Sequence, residues 1–190
     1  FTNEATRSEV MANAYFLRAY CYFTLVRVFG DCPLLTSGFE SEKQEDMYPS
    51  RTAASEVYAQ VETDIEEALR LMPASSKLLH KASPAAINML RTEYYLWKAK
   101  RLGGGNAALS TAQSSVDAVL KAGYTLLPTF ADIFNLNNEA NSELIWTLPY
   151  IVNENVTPGT SPNFFAYYLA PNGDRTRLRE AGYTEDEVPA

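Results

Sequence analysis

The sequence predicts an all-α domain of stacked helical hairpins with a long loop-rich segment after it. Apolar residues recur at steps of three and four through four separate stretches, the spacing of helix faces. Glycine and proline punctuate the chain between those stretches. Only Ser142–Leu148, rich in Leu, Ile, Trp and Thr, reads as a short strand or extended segment.

The first helix is expected over Val10–Phe29. Val10, Ala14, Leu17, Cys21, Leu25 and Val28 form one row, with Met11, Tyr15, Tyr22, Val26 and Phe29 beside it. Arg18 and Arg27 are its sole charges, so the helix is apolar around most of its circumference and is expected to be buried among others. Thr6-Arg7-Ser8-Glu9 fits a capping box at its start, and Gly30 with Pro33 fits its end. A membrane span is a poor alternative, because a mid-bilayer arginine costs about 2.5–3.5 kcal/mol.

Residues Thr36–Ser50 read as a loop, with the acidic run from Glu40 to Asp46 as a solvated linker and Phe39 and Tyr48 as contact residues or core aromatics. The second helix is expected over Ala53–Leu71, with Val57, Val61, Ile65, Ala68 and Met72 inward and Glu56, Glu62, Asp64, Glu66 and Glu67 on other faces. Ser83 as N-cap and Pro84 at the first position start a third helix that runs to about Arg101. Ala86, Leu90, Tyr94 and Trp97 line one face of it, with Ile87 alongside.

The run Gly103-Gly104-Gly105 lacks the preceding strand and following Gly-Lys-Ser/Thr of a phosphate loop, and is read as a turn between antiparallel helices. The fourth helix, Asn106–Ala122, carries Leu109, Ala112, Val116, Val119 and Leu120 and stops at Gly123. Paired in this way the helices suggest hairpins of tetratricopeptide type, although no strict 34-residue repeat is visible. A short helix follows at Phe130–Phe134 with Thr129 as cap, then a polar turn. The whole is read as one domain, with a helical core over 1–150 and a loop-rich segment and tail over 151–190.

Composition sets limits on function. The 190 residues suffice for one core, and a hydrophobic fraction of 46% is that of a globular chain. A net charge of −7 argues against a general nucleic-acid binder, which needs clustered Lys and Arg. Cys21 and Cys32 are read as two separate thiols, and a lone histidine, His80, leaves no metal site or His-based triad to assemble. Carboxylates are plentiful, but their spacing picks out no facing pair of the glycosidase kind. No catalytic residue, metal or cofactor is implied.

Two runs resemble a known family. Phe16-Leu17-Arg18-Ala19-Tyr20-Cys21-Tyr22-Phe23, continued by Leu25-Val26-Arg27-Val28-Phe29-Gly30-Asp31-Cys32-Pro33-Leu34-Leu35, is similar to the central signature of the SusD/RagB family, the outer-membrane glycan-binding lipoproteins of Bacteroidetes. It departs at Cys32, where the family usually has Val or Ile. The stretch from Gly123-Tyr124 through Phe130-Ala131-Asp132-Ile133-Phe134 to Ser142-Glu143-Leu144-Ile145-Trp146 is a second match in the same order, and Tyr58, Asp64, Ala68 and Leu71-Met72-Pro73 resemble a third family segment. Members are usually more than twice this length. With no signal peptide, lipid-acceptor cysteine or starting methionine, the chain reads as a piece of a longer protein.

The resemblance implies a tetratricopeptide-like core at the cell outer membrane, exposed at the surface and attached only through a lipid anchor outside this chain. It also implies capture of an oligosaccharide, starch-like in kind, and its delivery to a SusC-like TonB-dependent transporter. The family's glycan contacts lie in variable loops, so no binding residue is carried over. From the residues themselves, sugars need aromatic faces for the apolar side of the ring and planar polar groups for the hydroxyls. The segment holding Asn163, Phe164, Tyr167, Tyr168, Asn172 and Arg175 offers both kinds. Arg18, inside the signature, is expected to pair with a carboxylate or carbonyls as a fold element. The rivals are a helical scaffold for protein–protein interaction and, behind it, a carbohydrate-active enzyme.

Overall fold

The computed structural model describes residues 3–38, 48–76, 79–138 and 140–148. Up to Thr147 they belong to one compact unit. Four helices form it: α1 (Glu4–Phe29), α2 (Ala54–Leu71), α3 (Pro84–Arg101) and α4 (Gly105–Lys121). α1 packs along α2 and α3 along α4, and α2 against α3 joins the two hairpins. This is the all-α, tetratricopeptide-like architecture expected. Among the described residues no helix is long and apolar enough to cross a membrane.

α1 begins at Glu4, earlier than the capping box suggests. Asn3 is extended and its side chain accepts a hydrogen bond from Ala5 N at 2.9 Å, so the helix is capped before Thr6 is reached. The buried row also differs from the one expected. It is Ala12, Phe16, Ala19, Phe23 and Val26, while Val10, Leu17, Cys21, Leu25 and Val28 face outward, Leu17 at 45% and Val28 at 67% exposure. Several rows on this helix are apolar at the right steps. The choice falls to the row whose small Ala12 and Ala19 let a neighbouring helix approach closely while Phe16 and Phe23 fill the core. Within the described residues α1 is therefore buried on one side and not all round.

Gly30 ends α1 with φ 67°, the left-handed region that glycine enters without steric cost, and its N–H reaches Val26 O. Asp31 then does a second job: its Oδ1 accepts from Ala54 N at 2.8 Å, capping α2, whose own N-cap Ala53 has no side chain to offer. Cys32 and Thr52 exchange backbone hydrogen bonds at 3.2 and 3.0 Å and close the long connection. Cys32 is buried and Cys21 exposed, and both are free thiols. Tyr48 is 91% exposed and does not fold back on the core; Phe39 and the acidic run lie outside the described residues.

α2 buries Val57, Val61, Ile65 and Ala68 as expected, and also Asp64, which acidic patterning had placed on an outer face. α3 opens with Ser83 Oγ accepting from Ala86 N at 3.1 Å, and buries Ala86, Ile87, Leu90 and Tyr94. The triple-glycine turn uses its residues in two ways. Gly103 and Gly105 have φ of 73° and 52°, and a Cβ on Gly104 would stand 2.8 Å from Ala108 Cβ. α4 buries Ala108, Ala112, Ser115 and Val119, whereas Leu109 and Leu120 are exposed. Small residues again mark the contact face.

Beyond Gly123, Phe130–Phe134 is a 3-10 turn without a side-chain cap from Thr129. Residues 142–148 form no strand. They run as an irregular segment tied down at single points, by Thr125 N to Ser142 O at 3.1 Å and Thr147 N to Leu79 O at 3.1 Å.

Candidate functional site

Asn163, Phe164, Tyr167, Tyr168, Asn172 and Arg175 lie outside the described residues. The described residues build a different candidate, where the irregular 141–147 segment crosses α1 and α3.

On α1, Phe16 and Tyr20 are four residues apart and so share a face. On α3, Ala86, Met89, Leu90 and Glu93 follow the same helical steps. Trp146 lies against both rings of α1, its centroid 5.2 Å from Phe16 edge-on and 5.3 Å from Tyr20. With Glu143, Leu144 and Ile145 these residues line a cavity of about 260 Å³. Leu144 and Ile145 also line a neighbouring cavity of about 340 Å³, whose walls include Ser76, Ser83, Tyr124, Asn141 and Ser142. The pair makes a groove with an aromatic, acidic end and a hydroxyl- and amide-lined end.

The crossing segment is held firmly. Buried Asn141 donates from Nδ2 to Asn138 O at 3.1 Å and accepts at Oδ1 from Glu143 N at 3.1 Å. Glu143 Oε2 accepts from Leu127 N at 2.9 Å, and Thr147 Oγ1 lies 3.2 Å from His80 Nδ1. The lone histidine thus braces the segment next to the groove. Such bracing matters because a binding site gains affinity when its walls are ordered before the ligand arrives.

The polar side chains elsewhere are engaged in structure. Asp64 receives Arg18 Nε and Nη2, both at 2.6 Å, and Gln60 Nε2 at 2.8 Å, while Arg18 Nη1 reaches Thr36 O at 3.1 Å. Hydrogen bonding to Asp64 raises the Arg18 pKa further, against the pull of burial. Arg18 is a clasp between α1, α2 and the chain that follows α1, as expected of it.

Glu62 and Glu66 on α2 do face each other across Tyr95, whose hydroxyl is 3.0 Å from one and 3.1 Å from the other. Both are tied into structural contacts. Lys98 Nζ lies 2.7 Å from Glu62, Tyr94 OH donates to it at 2.8 Å, and Arg91 Nε holds Glu66 at 2.7 Å while its Nη1 reaches Ser115 on α4. Burial works to raise the Glu62 pKa, but hydrogen bonds from Lys98, Tyr94 and Tyr95 outweigh it and hold the carboxyl below its usual range. The same burial and bonds push the Tyr94 and Tyr95 phenols well above theirs. Among the described residues no group of His, Cys, Asp and Glu is placed to hold a metal ion.

Sequence reasoning missed the groove because it joins residues far apart in the chain. One signal was available: the Phe16 and Tyr20 pair at i and i+4, with Trp146 ending the second family match.

Comparison with known proteins fits this structure. A SusD-like family model, described as starch-binding and associating with the outer membrane, matches residues 2–96, half of the chain. SusD-like protein P38 of Formosa agariphila is 32% identical over 185 residues, covering 87% of this chain and 34% of its own length. The solved structure of NanU from B. fragilis superposes with a TM-score of 0.71 at 29% identity, over 80% of this chain and 30% of that one. A laminarin-binding SusD-like protein superposes with a TM-score of 0.64 at 26% identity, over 76% and 31%. The chain spans about a third of the length of these relatives. Its helical hairpins, its clasped signature arginine and these matches agree: the chain belongs to the SusD-like family.

Proposed function

We propose that this chain binds an oligosaccharide at the outer surface of the cell and passes it to a SusC-like TonB-dependent transporter, by binding alone and without chemistry. The observation that carries the proposal is the Tyr20–Trp146 groove. An aromatic wall can cover the apolar face of a sugar ring, and the lining residues Glu93, Glu143 and Ser142 carry groups that can partner ring hydroxyls. Family membership supports the surface location and the transporter, and the laminarin-binding relative supports a glycan as ligand. Asn163, Phe164, Tyr167, Tyr168, Asn172 and Arg175 remain a second proposed contact region, on composition alone.

Isothermal titration against neutral oligosaccharides, laminarin- and starch-derived ones included, tests this. Trp146→Ala is expected to weaken binding about fivefold or more, taking the about 1–3 kcal/mol of a flat ring stacked on an aromatic side chain in nucleobase recognition as the guide. Loss in a Tyr167→Ala, Tyr168→Ala variant instead assigns the site to that region and removes the groove. No binding to any glycan refutes the proposal.

A second reading, a helical scaffold for protein–protein interaction, has one observation in its favour: the outward row of α1, Val10, Leu17, Leu25 and Val28 with Phe29.

A further inference from the structure

We propose that the groove selects a saccharide unit carrying a protonated amine over its neutral counterpart, and rejects uronic and sulfated sugars. This rests on the reading of the groove as a glycan site and adds the charge of the ligand.

Among the described residues, four aromatic rings of this bundle are paired with a cation of the protein itself. Arg18 lies over Tyr15 at 5.4 Å, Arg27 over Phe23 at 4.0 Å, Arg91 over Tyr95 at 5.1 Å and Arg101 over Trp97 at 5.6 Å. Among the described residues, Tyr20 and Trp146 have no such partner. Some carboxylates of α2 are likewise paired with a cation. Glu62, Glu66 and Asp64 each meet Lys98, Arg91 or Arg18. Glu93 and Glu143, which line the groove, meet no cation among the described residues, and Glu143 is held only by the backbone N–H of Leu127. Among the described residues no Lys, Arg or His lines either cavity.

Among the described residues the groove therefore combines aromatic rings and two carboxylates with no cation to balance them. A ligand ammonium satisfies both at once, through attraction to the rings and to the carboxylates. A ligand carboxylate or sulfate meets only like charge. A neutral hydroxyl gains hydrogen bonds but none of the charge term.

The test is titration of the protein with a glucosamine oligomer, its N-acetylated counterpart and an oligogalacturonate of equal length, at mildly acidic pH where the sugar amine carries its proton. The amine form is expected to bind about fivefold more tightly than the N-acetylated form, the size of one exposed cation–π contact with one exposed ion pair. The oligogalacturonate is expected to show no binding. In Glu93→Gln the fivefold ratio is expected to fall to about twofold. That variant separates the site from general attraction, because a chain of net charge −7 draws any cation. An N-acetylated form that binds as well as the amine, uronate binding of equal strength, or a ratio unchanged in Glu93→Gln each overturns the inference while leaving the glycan reading standing. Absence of binding to all three, and to neutral oligosaccharides, overturns both.

Discussion

Replacing Asp64 by alanine should show what the signature arginine is for. The Asp64 side chain is 1% exposed and receives three hydrogen bonds, two of them from Arg18. After the substitution, the guanidinium keeps only its bond to Thr36 O and whatever water reaches its 27% exposed surface. Breaking a fully buried ion pair costs about 3–5 kcal/mol. Partial exposure of Arg18 places this case at the low end, about 3 kcal/mol, or a fall in Tm of about 6–12 °C for a chain of this size. Removing both charges is a different perturbation. Arg18→Met with Asp64→Leu leaves no orphaned charge in the core and should recover most of the loss. Urea denaturation followed by circular dichroism measures all three variants. A loss below about 1 kcal/mol in Asp64→Ala, or a double variant no better than the single one, would refute the clasp.

Three further outcomes are expected. Glu62 has a folded pKa below its unfolded value, so its stabilisation is present above about pH 4.3 and is lost as pH falls through the folded value. Urea midpoints at about pH 7 and pH 3 should therefore differ less in Glu62→Gln than in the wild type, and equal differences would count against the network. Phe23→Ala should cost about 3–5 kcal/mol and Leu17→Ala less than about 1 kcal/mol, because only Phe23 faces the core; similar losses would overturn the assignment of α1 faces. Gly105→Ala forces an L residue to φ 52° and should cost about 1 kcal/mol or more by the same assay, whereas Gly105→Asn should be milder.

The four helices were legible because their ends carry local chemistry. Ser83 with Pro84, Gly30 and Gly123 act within a turn of where they stand, so a linear reading finds them. Which side of α1 turns inward was not legible, since several of its rows are apolar and only the close fit of Ala12 and Ala19 decides. Asp64 was hidden among acidic neighbours, because its burial depends on an arginine 46 positions away. Ser142–Leu148 has the composition of a strand, but strand formation needs a partner edge, and among the described residues outside the segment's own turn the backbone here finds only single contacts at Thr125 and Leu79. The family was legible from Arg18 and Gly30-Asp31, as were Gly30 as helix stop and Arg18 as a paired fold element, but Asp64 as its partner and Asp31 as the cap for α2 came from the structure. The groove was invisible for the same reason as the clasp: Tyr20 and Trp146 meet only in the folded chain.

The two tryptophans provide the most direct test of a glycan site in that groove. Trp97 Nε1 donates to Tyr58 OH at 3.1 Å within the helical bundle, while Trp146 lines the cavity. In a nitrogen–proton NMR spectrum of the labelled chain, each indole gives its own resonance. Adding oligosaccharide should move the Trp146 signal in a saturable way and leave Trp97 in place. A Trp146 signal that stays put while the chain binds sugar, or a chain that binds none, would contradict the site.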